Sequence, residues 1–276
     1  MDRYAVMGNP IGHSLSPRIH LAFAEETKHR LSYQAMLVGI GEFTKEVYHF
    51  FAEGGKGLNV TVPFKQEAWA FAEVLSADAK LAGAVNTLFK DSGGKLQGHN
   101  TDGIGLIRDI KHNYKLGIEG KNILVLGAGG AARGILLPLL QENPESICIV
   151  NRTVGKAEEL ASLFSKYGDI RACSFQALEA GKTKKTDWII NATSASLEGE
   201  LPPISHNILS NESACYDLMY GSDETVFCQW ARRAGVTKVM DGLGMLVEQA
   251  AESFYLWRGA RPTTNKIILE LKNNNK

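Results

Sequence analysis

The 276-residue sequence predicts an α/β fold: a mixed α/β N-terminal segment, then a doubly wound parallel sheet. Three observations carry this. Short apolar runs alternate with stretches whose apolar residues recur at helical spacing. From Asn122 onward the runs "NILVLG", "SICIVN", "IRACSF", "DWIINA", "ACYDL" and "TKVMDG" are almost continuously apolar, as strands covered on both faces must be. Before that point, "AVNTLF" and "KLQGH" flank Asp91-Ser92-Gly93-Gly94, which reads as a hairpin and hence an antiparallel pair.

Taken in order, "RYAVM" is the first strand. Residues 17–28 are helical, with Ile19, Ala22 and Phe23 on one face. "YQAMLVGI" is a strand, and residues 42–53 place Phe43, Val47, Phe50 and Phe51 at helical spacing. "GLNVTV" is a β-branched strand that Pro63 stops, and a helix through Trp69 and Phe71 follows. After the alternating series, Leu243 to about Leu271 reads as two helices split near "GARP", and the closing "NNNK" as a frayed tail.

Lys+Arg and Asp+Glu are each 30, so the formal net charge is +0 and there is no electrostatic footprint for nucleic acid or an anionic membrane. No apolar run approaches the roughly 18 residues of a membrane span, and no signal peptide is visible. A soluble, cytoplasmic chain that acts on a small molecule, as monomer or homodimer, is expected. Cys148, Cys173, Cys215 and Cys228 form no C-x-x-C pair and read as buried free thiols. No His/Cys/Asp cluster has metal-ligand spacing.

"NILVLGAGGAARGI" ends an apolar run in Gly127-x-Gly129-x-x-Ala132. Following a strand and opening a helix, this is the context of a dinucleotide site: a tight turn, close backbone approach to a pyrophosphate, and a helix N-terminus offering free N–H groups. A glycine-rich turn without a ligand is the competing reading. The next strand ends in Asn151-Arg152-Thr153, where an NAD site usually carries an acid. A guanidinium suits a 2′-phosphate, and Lys156 adds a cation four residues on, so NADP is the sharper expectation. A solvated helix start remains open.

In "GNPIGHSLSPRIH", Pro17 suits a first helical turn and Ser16 reads as its N-cap. Ser14 and Ser16 hydroxyls at a helix start also suit a substrate carboxylate. Asn86 of "GAVNT", with Asn100, Thr101 and Asp102 of "NTDG", stands at presumed strand edges. Each alone reads as a turn former, and Asp102 as a cap of the helix "GIGLIRDI". Together with Lys65, just past the stop in "NVTVPFK", they match a polyhydroxylated ligand in a cleft at strand ends.

The ordered set "GNPIGHSLSP", "NVTVPFK", "AGAVNT", "NTDG", "GAGGAARG", "NRT", "NATS", "YDLMY" and "DGLGMLVEQAAESFYLW" resembles the shikimate dehydrogenase family nearly end to end. The resemblance implies a substrate-binding domain at 1–102 completed by C-terminal helices at 243–276, a Rossmann-like NADP domain at 103–242, and a cleft between them. It implies that Ser14 and Ser16, helped by Tyr220, hold the substrate carboxylate. Thr61, Asn86, Asp102 and Gln249 then hold ring hydroxyls beside Lys65. On the cofactor side it implies Gly127, Ala128, Gly129, Gly130 and Ala131, then Asn151, Arg152, Thr153 and Lys156, with Leu218 and Gly242; Thr193 and Ser194 line the same cleft. Lys156 departs from the family, which often carries a second arginine there, and lysine lacks the planar fork.

The implied reaction is the reversible reduction of 3-dehydroshikimate to shikimate by NADPH. Catalysis falls to Lys65, whose ammonium is aimed at the developing alkoxide, and to Asp102, which orients it. A quinate/shikimate dehydrogenase of broader cofactor use and a non-catalytic NADP-binding sensor are the alternatives. Retention of both Lys65 and Asp102 weighs against the sensor.

Overall fold

The computed structural model describes residues 1–180, 186–210 and 212–274. It divides into two compact units, one of Met1–Gly105 with Leu246–Glu270, the other of Leu106–Met245 with Leu271–Lys276. Residues 275 and 276, the end of the predicted tail, lie outside the described residues, while Asn273 and Asn274 continue the last helix. Among the described residues no helix is long and apolar enough to cross a membrane.

The first unit runs β1 (Asp2–Gly8), α1 (Ser16–Glu26), β2 (Leu31–Leu37), α2 (Phe43–Ala52), β3 (Gly57–Val60), α3 (Lys65–Phe71), β4 (Val74–Leu75), α4 (Ala77–Ala82), β5 (Thr87–Lys90), β6 (Leu96–His99) and the start of α5 (Asp102–Arg108). Its described strands form one six-stranded sheet, ordered β2-β1-β3-β5-β6-β4. β1 pairs in parallel with β2 and β3, whereas β5 runs antiparallel to β3 and β6 in the predicted hairpin. The helical spacing of Phe43, Val47, Phe50 and Phe51 is used as predicted: all four enter a core with Leu58, Val60, Phe64 and Leu88. Much of the long C-terminal helix also belongs here. Its Trp257 stacks on Tyr4 at 4.8 Å between ring centroids. Trp257 lies so close to β3 that a Cβ on Gly57 would sit 2.6 Å from its ring, so a side chain at Gly57 would push the helix away.

The second unit continues with β7 (Asn122–Leu126), α6 (Gly130–Gln141), β8 (Ser146–Val150), α7 (Val154–Phe164), β9 (Ile170–Cys173), α8 (Phe175–Glu179), β10 (Trp188–Asn191), β11 (Ala214–Asp217), α9 (Val226–Arg233) and β12 (Lys238–Met240). The chain then enters α10 (Leu243–Arg258) and α11 (Asn265–Asn274). The described strands form a sheet ordered β12-β11-β10-β7-β8-β9, parallel at every pairing. The order reverses between β7 and β10. In open α/β sheets that switch point, at the carboxyl ends of the strands, is where a ligand crevice forms.

Candidate active site

In the first unit a buried polar network starts at Lys65. β3 ends at Val60, short of the predicted run to Val62; a turn through Val62, Pro63 and Phe64 follows, with Phe64 the N-cap of α3 and Lys65 its first residue. The Lys65 ammonium donates to Asp102 Oδ2 at 2.6 Å. The pair is largely enclosed, with side-chain exposures of 26% and 12%. An ammonium carries three donors, and among the described residues this contact uses one, which leaves the others for a ligand.

Asn86 fixes the other end of Asp102. The Thr101 backbone N–H donates to Asn86 Oδ1 at 3.0 Å, which settles which way the amide faces. Asn86 Nδ2 therefore points at Asp102 Oδ1, 2.8 Å away, and also reaches Thr101 Oγ1 at 3.0 Å and Gln249 Oε1 at 3.4 Å. Each oxygen of the Asp102 carboxylate thus has its own donor. The predicted cap role of Asp102 does not hold. The Asp102 N–H is instead accepted by Asn100 Oδ1 at 3.0 Å, which leaves the Asp102 carboxylate free for Lys65 and Asn86.

The network extends into residues that sequence reasoning missed. Thr87 Oγ1 donates to Asn86 Oδ1 at 2.9 Å and contacts Ser253 Oγ at 2.8 Å. Asn59 Nδ2 donates to Ser253 Oγ at 3.0 Å, and Tyr33 O–H donates to Asn59 Oδ1 at 2.7 Å. Burial pushes the Tyr33 phenol well above the ordinary tyrosine range, so it remains a neutral donor. The His20 ring stacks on Tyr33 at 4.3 Å, and burial lowers its pKa to about 3. Thr101 was expected in the cleft, whereas Asn59 and Thr87 lie inside motifs read for other reasons. Their alternation with apolar residues gave no sign that the polar ones face inward.

Ser14, Ser16 and Thr61 occupy the same end of this sheet. Ser16 is the first helical residue of α1, not its N-cap, which is Leu15. The cap-like bond runs the other way, from the Ser16 N–H to Ser14 Oγ at 3.3 Å. Pro17 therefore stands second in the helix, where its missing N–H is among those a helix start leaves without an intrahelical partner. Gly8, at the end of β1, passes so close to Thr61 that a Cβ there would lie 2.5 Å from the threonine methyl.

In the second unit the glycine loop joins β7 to α6. Gly127 has φ +104°, a conformation side chains rarely adopt, and a Cβ there would lie 3.1 Å from the Thr193 methyl. Gly129 is the N-cap of α6, with no side-chain cap and no acid in the first turn. A Cβ on Gly129 or Gly130 would project into open space, the room a phosphate needs to approach the uncapped N–H groups of this turn, with Ala128 and Ala131 alongside. Asn151, Arg152 and Thr153 follow β8, and Asn151 Nδ2 ties the turn by donating to Thr153 O at 2.9 Å. α7 likewise opens with no acid in its first turn, and Arg152 and Lys156 are exposed there.

The opposite wall is held by Asn191 and Asp217 at the ends of β10 and β11. Asn191 Oδ1 accepts from Thr193 Oγ1 at 2.7 Å, and Asn191 Nδ2 donates to Asp217 Oδ1 at 3.0 Å. Burial raises the Asp217 carboxyl, while Ser196, Thr225, Met219 and Asn191 all donate to it and pull the other way. Leu218 follows directly, and a Cβ on Gly242 would meet Leu218 O at 2.2 Å. Gly127 and Thr193 thus meet at the switch point, and Leu218 and Gly242 meet beside it at the ends of β11 and β12. Tyr220, half-buried two residues after Leu218, belongs to this unit, whereas the other substrate candidates belong to the first.

Comparison with known proteins gives three family matches along the chain. They are the shikimate dehydrogenase substrate binding domain at residues 6–88, shikimate / quinate 5-dehydrogenase at 110–198, and the shikimate 5′-dehydrogenase C-terminal domain at 242–267. The shikimate dehydrogenase (NADP(+)) of Vibrio cholerae is 54% identical over 274 residues, covering 99% of this chain and 97% of the relative. The chain belongs to the shikimate dehydrogenase family. Among solved structures, an Ael1 enzyme from Pseudomonas putida superposes with a TM-score of 0.92 at 43% identity, covering 98% of each chain. The shikimate 5-dehydrogenase of Thermus thermophilus in complex with NADP(H) and shikimate gives a TM-score of 0.87 at 32% identity, with 100% of each chain covered. Family members thus carry a substrate domain and a Rossmann-like domain, matching the mixed sheet and the doubly wound sheet found here.

Proposed function

We propose that this protein interconverts 3-dehydroshikimate and shikimate with NADPH and NADP, using Lys65 and Asp102 as the catalytic pair. The observation that carries the reading is the enclosed Lys65–Asp102 contact at 2.6 Å, braced by Asn86. NADPH, when bound, supplies the hydride. Lys65 presents an ammonium to the carbonyl oxygen, where negative charge develops, and gives up a proton as the alcohol forms. Asp102 holds that ammonium in place. In the oxidative direction Lys65 takes the proton back, so that direction is favoured as pH rises.

Ser14 and Ser16 at the start of α1 take the substrate carboxylate, with Tyr220 completing the set. Thr61, Asn86, Asp102 and Gln249 take ring hydroxyls; the many fixed donors and acceptors there suit a polyol better than an apolar ligand. In the second unit the uncapped start of α6 suits the pyrophosphate, and Arg152 with Lys156 suits the 2′-phosphate. Thr193, Leu218 and Gly242 frame the remainder of the nucleotide. Residues 1–102 with the C-terminal helices act as substrate domain and residues 103–242 as cofactor domain. The protein works in the cytoplasm as a monomer or homodimer.

The test is formation of reduced nicotinamide, followed by absorbance, with shikimate or quinate and with NADP or NAD. Fast turnover confined to shikimate with NADP supports the reading. Comparable rates with quinate and NAD would favour a broader quinate/shikimate dehydrogenase, and NADP binding without turnover would favour a sensor.

A further inference from the structure

Cys148 in β8 and Cys173 in β9 carry sulfurs only 3.4 Å apart, and both thiols are free. The strands are parallel neighbours in which Cys148 pairs with Arg171 and Val150 with Cys173, so Cys148, Arg171 and Cys173 share one face. β9 is the edge strand of its sheet, and Cys173, its last residue, is part-exposed, while Cys148 is buried. Bonded on one side only among the described strands, β9 can shift to close the remaining gap between the sulfurs.

The proposed reaction uses neither thiol. The chemistry of the pair is nonetheless unlike that of the other two cysteines. The Cys173 thiol donates to the Cys148 sulfur and so lowers the Cys148 pKa to about 7 against burial, and Arg171 adds positive charge. The same contact raises Cys173, which keeps its proton. Cys215 and Cys228 are pushed up to about 12 by burial and stay inert thiols. A thiolate beside a cation with a second thiol in contact is the arrangement of a reactive and a resolving cysteine.

We propose that Cys148 and Cys173 form a modification site, a dithiol that a hydroperoxide oxidises reversibly to an intrachain disulfide. The Cys148 thiolate attacks a peroxide oxygen, the O–O bond breaks, and hydroxide leaves, giving a sulfenic acid. The Cys173 sulfur then attacks the Cys148 sulfur. The S–S bond forms as the S–O bond breaks, and the Cys173 proton leaves with the departing oxygen as water. Two electrons pass from the two thiols to the peroxide, and a small dithiol reductant reverses the change. This inference does not rest on the activity assigned above.

The experiment treats the reduced full-length protein with hydrogen peroxide under native conditions, blocks remaining thiols, and reads intact mass and proteolytic peptides. The expected product is lighter by two hydrogens, contains a peptide linked through Cys148 and Cys173, and reverts with dithiothreitol. In Cys173→Ser the reaction stops at a sulfenic acid on Cys148 that dimedone traps. The proposal is overturned if both cysteines stay separately alkylatable after a treatment that fully oxidises free glutathione. It is equally overturned if Cys148 proceeds to sulfinic acid without linking, or if a different pair is linked. Wild-type protein alone decides these outcomes, so the test survives misfolding of the variant.

Discussion

Replacing Asp102 by asparagine isolates what the carboxylate does for Lys65, because shape and volume hardly change. The carboxylate now accepts from Lys65 on Oδ2 and from Asn86 on Oδ1. Asparagine keeps one acceptor, so either Lys65 or Asn86 must face an N–H. The gross attraction of unit charges 2.6 Å apart is about 6 kcal/mol at an effective dielectric near 20. Most of that is offset by desolvation, and the net worth of a hydrogen bond to a charged partner is about 1.5–3 kcal/mol. If that energy is used in the transition state, kcat/KM for shikimate falls roughly 10- to 150-fold. The assay is steady-state kinetics at saturating NADP, with NADPH affinity measured separately by fluorescence. The expected pattern is a fall in kcat/KM with NADPH affinity unchanged. A loss below threefold, or an equal loss of NADPH binding, would refute the reasoning, since neither follows from a misaligned Lys65.

Four further outcomes follow from the same geometry. Lys65→Ala removes the acid and lowers kcat by about 10²–10⁴ while NADPH binding stays near wild type; turnover within a few-fold of wild type takes Lys65 out of the mechanism. Arg152→Ala weakens NADPH by about 1.5–3 kcal/mol and leaves NADH nearly unchanged, and equal losses for the two would show that the 2′-phosphate is not read there. Gly242→Ala drives a methyl toward Leu218 O and costs about 1–3 kcal/mol in urea unfolding; an unchanged midpoint would mean that the two segments separate freely. His20 titrates near 3 in the folded protein against about 6.5 unfolded, so between those values the unfolded chain holds a proton the native one lacks. Stability is full above pH 6.5 and falls by about 1.4 kcal/mol per unit below it, or about 2 kcal/mol at pH 5. Urea midpoints at pH 7 and pH 5 should converge in His20→Phe, and an identical pH drop in that variant would assign the effect elsewhere.

The inner strands of the second unit, β7, β8, β10 and β11, were legible because they are buried on both faces, and a continuous apolar run between two helices can hardly be anything but a covered strand; β9 at the sheet edge is only part-buried. Gly127 and Gly129 were legible for a related reason: the backbone conformation and the room at the helix start require glycine. The helix Ala77–Ala82 was overlooked although its signals are local, with Ser76 accepting from the Ala79 N–H and Gly83 in the left-handed region. The network behind Lys65 was only partly legible. Lys65, Asn86 and Asp102 stood out as polar residues at strand ends, but Asn59 meets Ser253 across 194 residues of chain and Asn86 meets Gln249 across 163. Nothing local announces such a pairing. It depends on which turn of α10 faces the sheet, and so on packing such as that of Trp257 over Gly57.

That packing has a consequence for biosynthesis. The body of the second unit, Leu106–Met245, is contiguous and can assemble as it leaves the ribosome. The first unit is made earlier but finished later. Until Leu246–Glu270 emerges, Asn59, Thr87 and Thr101 lack Ser253, Asn86 lacks Gln249, and Tyr4 lacks the indole that covers it. A chain interrupted before Leu246 would keep a nucleotide-binding sheet and carry an unfinished polar site, vulnerable to proteolysis in its first half and intact in its second.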